Sequence, residues 1–124
     1  MNARTIVSSV AIGRLAIGAA LMAKPDSEAG AGWVGTDEAQ RPVTKVLFRS
    51  VGARDVALGV GTMAALRDGA RLRPWLLGAT LADATDLLAT VTAGKALPMK
   101  GRVALVLLAG GAIAMQLSAA RSLD

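Results

Sequence analysis

The stretch TKVLFRSVGARDVALGVGTMAAL, residues 44–66, decides the fold. Its 23 residues make about 35 Å of α-helix, enough to cross a bilayer core of about 30 Å. Beyond Lys45 at its start it holds three charges, Arg49, Arg54 and Asp55, set among Val, Leu, Ala and Gly. A soluble surface helix would gather such charges on an outward face. Here Gly52, Asp55, Gly59 and Thr62 follow a 3, 4, 3 spacing, which puts the carboxylate on the same face as the small residues. Small residues let a second backbone come close where lipid supplies no hydrophobic drive for association. The stretch reads as a membrane helix with its charge turned towards other helices.

On either side lie three more apolar stretches of similar length, residues 5–23, 74–93 and 102–119. The expected fold is all-α, a four-transmembrane-helix bundle with up-down topology, and residues 1–124 form one integral membrane domain. Lys24-Pro25-Asp26 ends the first span, and the polar, Gly-rich segment 24–43 is expected to be an exposed, mobile loop. Arg67-Asp68-Gly69 closes the second span. Arg73-Pro74-Trp75 opens the third, with Pro suited to a first turn and Trp75 to the interface. Trp33 is expected to dip from the loop into the same kind of interface. A cleaved leader is the competing reading of the N-terminus, but Arg14 interrupts the apolar run and Leu21 stands where a small residue is wanted.

Composition supports lipid surroundings. The chain is 53% hydrophobic with a mean hydropathy of +0.49, yet Phe48, Trp33 and Trp75 are its only aromatic residues. The net charge of +5 comes with no basic stripe and no nucleic-acid motif, so no nucleic-acid partner is expected. The bilayer itself is the expected partner, with anionic lipid at Arg67, Arg71 and Arg73, and a homo-oligomer or a second membrane protein as a further one. Cysteine and histidine are both absent, which removes disulfides, thiolate nucleophiles, imidazole bases and the usual zinc and haem ligands; no metal and no cofactor are expected. Five basic residues flank one side of the spans and six the other. The count does not decide orientation; the clustering of Arg67, Arg71 and Arg73 and the acidic residues of segment 24–43 lead to the expectation that both termini lie on the cytoplasmic side of a bacterial plasma membrane.

Six ionisable residues fall inside the spans: Arg14, Arg49, Arg54, Asp55, Asp83 and Asp86. Unpaired, they would cost roughly 15–21 kcal/mol on insertion scales, so they must face inward and find partners. Arg14, Asp55 and Asp83 lie near the midpoints of their spans and hence at one depth. Arg49 is expected beside Asp86, with Arg14 and Arg54 sharing Asp55 and Asp83. The fourth span offers Gly110, Gly111, Gln116 and Ser118 and reads as packing. A short likeness between residues 14–22 and 55–63 suggests related helices.

Three functions fit this polar centre. The first is a structural ion-pair network that fixes helix register or partner assembly. The second is a membrane enzyme of isomerase or cyclase type, or a binding protein, for a lipid-like or anionic small molecule; Asp83 or Asp86, with Asp55 as a further candidate, would act as the acid and an arginine would orient the ligand. The third is a small transporter.

The segment Phe48-Arg49-Ser50-Val51-Gly52-Ala53-Arg54-Asp55-Val56-Ala57-Leu58-Gly59 resembles one in small bacterial, actinobacterial-like integral membrane proteins of uncharacterised four-helix families. These carry an Arg-x-x-Gly-Ala-Arg-Asp-x-x-Leu-Gly-like segment in the second helix. The resemblance implies a four-helix membrane fold and assigns no catalytic residue. Small multidrug transporters are similar in size, but their carboxylate in the first helix is replaced here by Arg14.

Overall fold

The structure is a computed structural model that describes residues 2–123. Among the described residues it is entirely helical: α1 (Ala3–Ala23), α2 (Glu28–Val34), α3 (Thr36–Ala39), α4 (Pro42–Asp68), α5 (Arg73–Ala93), a 3₁₀ turn (Gly94–Ala96) and α6 (Met99–Ser122). Local chemistry sets the ends. The Asn2 side chain accepts a hydrogen bond from the Thr5 amide at 2.9 Å and caps α1. Pro42 opens α4, where its missing N–H costs nothing. Gly69, at φ +68°, closes α4 in the left-handed conformation that terminates helices. Arg4 Nη2 donates to the Leu66 carbonyl at 2.8 Å, giving a freed C-terminal acceptor a cationic partner.

The four long helices run alternately up and down as two close pairs. In the first pair, α1 lies antiparallel on α4. Gly18 and Gly52 meet so closely that a Cβ on Gly18 would fall 2.7 Å from the Gly52 carbonyl oxygen, and one on Gly52 would fall 2.5 Å from that of Gly18. The second pair is α5 on α6. At the end holding both termini, Val7, Ala65, Leu66, Leu72, Leu76, Ala119 and Ala120 join the two pairs in an apolar cluster.

Segment 24–43 is not the exposed loop the sequence suggests. Most of it is helical, with Pro25, Gly30 and Ala39 buried. Gly30 allows this, since a Cβ there would run into the Pro25 carbonyl. Trp33 stacks on Phe48 of α4 with ring centroids 5.5 Å apart, and its indole N–H donates to Thr90 Oγ1 of α5 at 3.0 Å. On its far side the Trp33 backbone packs against Gly101 of α6. An outer contact, from the Gln40 amide to Asp26 Oδ2 at 2.8 Å, holds the Asp26 carboxyl below its ordinary range.

Three helical stretches are long and apolar enough to cross a membrane: Ala3–Ala23, Arg73–Ala96 and Met99–Ser122. The fourth expected span is not among them. Helix α4 has the length, at 27 residues, but Arg49, Arg54, Asp55 and Arg67 are spaced so that any 18 successive residues within it carry at least three charges. Burial is inverted relative to a water-soluble protein. Leu81, Leu88 and Leu107 are 70, 65 and 69% exposed, while Arg14, Asp55 and Asp83 are 8, 7 and 7% exposed. This distribution is consistent with a membrane protein.

Candidate functional site

Asp55 and Asp83 are the midpoints of α4 and α5, and Arg14 lies one residue beyond the midpoint of α1. The antiparallel arrangement therefore brings the three to one level. Arg14 Nη1 donates to Asp55 Oδ1 at 3.2 Å, and Nη2 donates to Asp83 Oδ2 at 2.6 Å and to Gln116 Oε1 at 3.0 Å. Gln116 Nε2 in turn donates to Asp83 Oδ2 at 3.0 Å. Arg54 reaches across to α5 with both prongs, Nη1 to Asp86 Oδ1 at 3.0 Å and Nη2 to Asp86 Oδ2 at 2.7 Å. Its Nε and Nη2 also donate to Asp55 Oδ1 at 3.2 and 3.0 Å. Two-pronged arginine–carboxylate pairs fix orientation as well as supplying energy.

Every polar contact in this network that crosses between the helix pairs involves an arginine: Arg14 to Asp83 and Gln116, and Arg54 to Asp86. In a surrounding of low dielectric such a contact is strong when satisfied and costly when broken, about 3–5 kcal/mol for a buried pair that loses one partner.

Two expectations about residues are corrected. Arg49 is exposed, and no ion pair among the described residues includes it. At about 100° of rotation per residue, the five-residue step from Arg49 to Arg54 turns it about 140° away from the arginine that faces α5, so Arg54 takes Asp86 instead. Gln116 is not mere packing, because it belongs to the network and is 3% exposed. Its sequence signal was a lone amide in an apolar helix, spaced seven residues from the buried Ala109 and four from the buried Ala120, which is one helical face.

Beside the network a cavity of about 470 Å³ opens between α1 and α6, within the usual volume range of small-molecule sites. Arg14, Asp55, Asp83 and Asp86 form its polar end; Val10, Ile17 and Leu21 of α1 face Leu105, Leu108 and Met115 of α6 along its walls; Glu28 and Trp33 of α2 cover it together with Lys100. Gly13, Ile17, Ala104 and Leu108 on these walls are themselves exposed. Of the three carboxylates, Asp86 has both oxygens held by Arg54, whereas among the described residues Asp55 Oδ2 and Asp83 Oδ1 accept no hydrogen bond. Among the described residues no cluster of His, Cys, Asp and Glu is arranged to hold a metal ion.

Fold and site together define an all-helical protein with three helices able to cross a membrane and a charged centre enclosed among its long helices. Compared with protein-family models, curated proteins and solved structures, the chain has no match.

Proposed function

We propose that the chain is a small polytopic protein of the bacterial plasma membrane, spanning it four times with both termini cytoplasmic, that binds a lipid-like molecule in the cavity between α1 and α6. The Arg/Asp network has two tasks in this reading: it locks the two helix pairs in register and forms the polar end of the site. The observation that carries the proposal is the 470 Å³ cavity with apolar walls that ends on Arg14, Asp55, Asp83 and Asp86. A network serving structure alone would be closed over by apolar side chains.

Helix α4 is the fourth span because its central charges are satisfied inside the bundle. Its exposed Arg49 lies seven residues from Pro42, about 10 Å along the axis, within reach of the interface for a long side chain. The kinship with small four-helix bacterial membrane proteins belongs to the same proposal and rests on the segment 48–59.

Native mass spectrometry of the protein released from nonionic detergent tests the binding reading. A lipid-sized adduct is expected on the unmodified protein and is expected to be lost in Gly13→Leu, since Gly13 lines the cavity and a Cβ built there meets no neighbour within 4 Å, leaving room for the leucine to enter the cavity. An adduct retained equally by Gly13→Leu, or no adduct from any lipid extract offered, would reject it.

A further inference from the structure

The sign of the charge at the polar end goes further than the existence of the cavity. With Arg49 outside the network, two guanidinium groups, Arg14 and Arg54, face three carboxylates, Asp55, Asp83 and Asp86. One negative charge is in excess. At the cavity's cover, Glu28 and Lys100 offset one another. The positive charges of Arg14 and Arg54 are already balanced by carboxylates, Arg14 donating to Asp55, Asp83 and the Gln116 amide oxygen and Arg54 to Asp55 and Asp86.

Among the described residues two carboxylate oxygens of this network have no donor, Asp55 Oδ2 and Asp83 Oδ1, on residues only 7% exposed that both line the cavity. Neither atom is fully sealed inside the protein: among the described residues the sealed polar side-chain atoms without partners are Ser27 Oγ and Arg102 Nε. A carboxylate oxygen in an apolar surrounding is costly to leave without a donor. The site carries one more carboxylate than guanidinium and has carboxylate oxygens that lack a donor.

We infer that the ligand of this cavity is a cationic amphiphile, a hydrocarbon chain ending in an ammonium group that still carries N–H. The chain lies along the walls formed by α1 and α6, and the ammonium donates to Asp55 Oδ2 and Asp83 Oδ1 while neutralising the excess charge. An anionic headgroup, the other chemistry that arginines in a membrane invite, would meet guanidinium groups whose charge is already balanced by carboxylates, together with two unpartnered acceptors and the excess negative charge. The inference rests on the proposed binding function, and the two can fail separately.

The experiment titrates the Trp75→Phe protein, in which Trp33 on the cavity cover is the only tryptophan, with three probes of equal chain length, dodecylammonium, dodecanol and dodecanoate, in a neutral detergent. The expected result is saturable quenching or shift of Trp33 fluorescence with dodecylammonium bound about tenfold or more tighter than dodecanol. Dodecanoate should be the weakest of the three, and Gly13→Leu should abolish the response. Asp83→Asn should remove the preference for the cation where it folds; the ranking of probes on the chain with Asp83 intact decides the matter without it. If dodecanol or dodecanoate binds as tightly as dodecylammonium and Gly13→Leu blocks it, the charge assignment is overturned and the binding function stands. If no probe gives a response sensitive to Gly13→Leu, both fall.

Discussion

The Arg14 guanidinium lies 2.6 Å from Asp83 Oδ2, and through that contact α1, packed along α4, holds α5, packed along α6. The contact is made at the midpoint level of the helices, 6% and 10% exposed on its two side chains. At the end holding both termini the pairs are joined by apolar side chains. The ion pair therefore fixes a second point of the same seam, and two points determine register where one would allow pivoting.

A coupling cycle of Arg14→Ala, Asp83→Ala and the double variant should reveal this. Each single substitution is expected to destabilise the protein by about 3–5 kcal/mol because it strands a buried charge. The double variant should lose clearly less than the sum of the two. Unfolding in mild detergent measures it, and simple additivity would show that the pair does not hold the seam.

Arg49 and Arg54 stand five residues apart on one helix and should behave differently. Arg54→Gln removes the two-pronged hold on Asp86 and is expected to cost roughly 2–4 kcal/mol. Arg49→Gln should stay within about 0.5 kcal/mol of the parent, as an exposed substitution does. Thermal unfolding of the two variants side by side checks the contrast; equal losses would put Arg49 back into the network.

Gly18→Val should be more damaging than Gly13→Val on the same helix. A Cβ on Gly18 meets the α4 backbone, whereas one on Gly13 meets nothing within 4 Å. Forcing α1 away from α4 is expected to cost about 1–3 kcal/mol or more. A Gly18 variant with unchanged stability would mean that α1 and α4 do not approach as closely as described.

Topology can be read with single cysteines, since the chain has none of its own. Thr36→Cys in α3 and Ala70→Cys after α4 are expected to react with a membrane-impermeant maleimide from opposite sides, Ala70→Cys from the cytoplasm. Ser122→Cys should label from the same side as Ala70→Cys. Reaction of both Thr36→Cys and Ala70→Cys from one side would show that α4 does not span.

Much of the charged centre was legible before the fold was known. Membrane-length apolar stretches and their midpoints depend only on position along the chain, and a helix converts position into depth at a fixed rise. Arg14, Asp55 and Asp83 could thus be placed at one level from numbering alone. Pairing was less legible. Whether Arg49 or Arg54 meets Asp86 depends on how α4 is rotated about its axis relative to α5, and the Gly18–Gly52 approach to α1 sets that rotation. Gln116 was visible as an oddity in an apolar helix, but its partners lie on α1 and α5.

The sequence by itself determined the four long helices, the inward turn of Arg14, Asp55 and Asp83 and the small residues that let α1 and α4 touch, because each follows from composition and the 3.6-residue period. Only the tertiary structure decided which guanidinium serves which carboxylate, that α2 and Trp33 fold back over the bundle, and that space remains between α1 and α6. That space is set by how far apart two helix pairs come to rest, a distance fixed jointly by contacts on several helices and encoded in no single stretch of the chain.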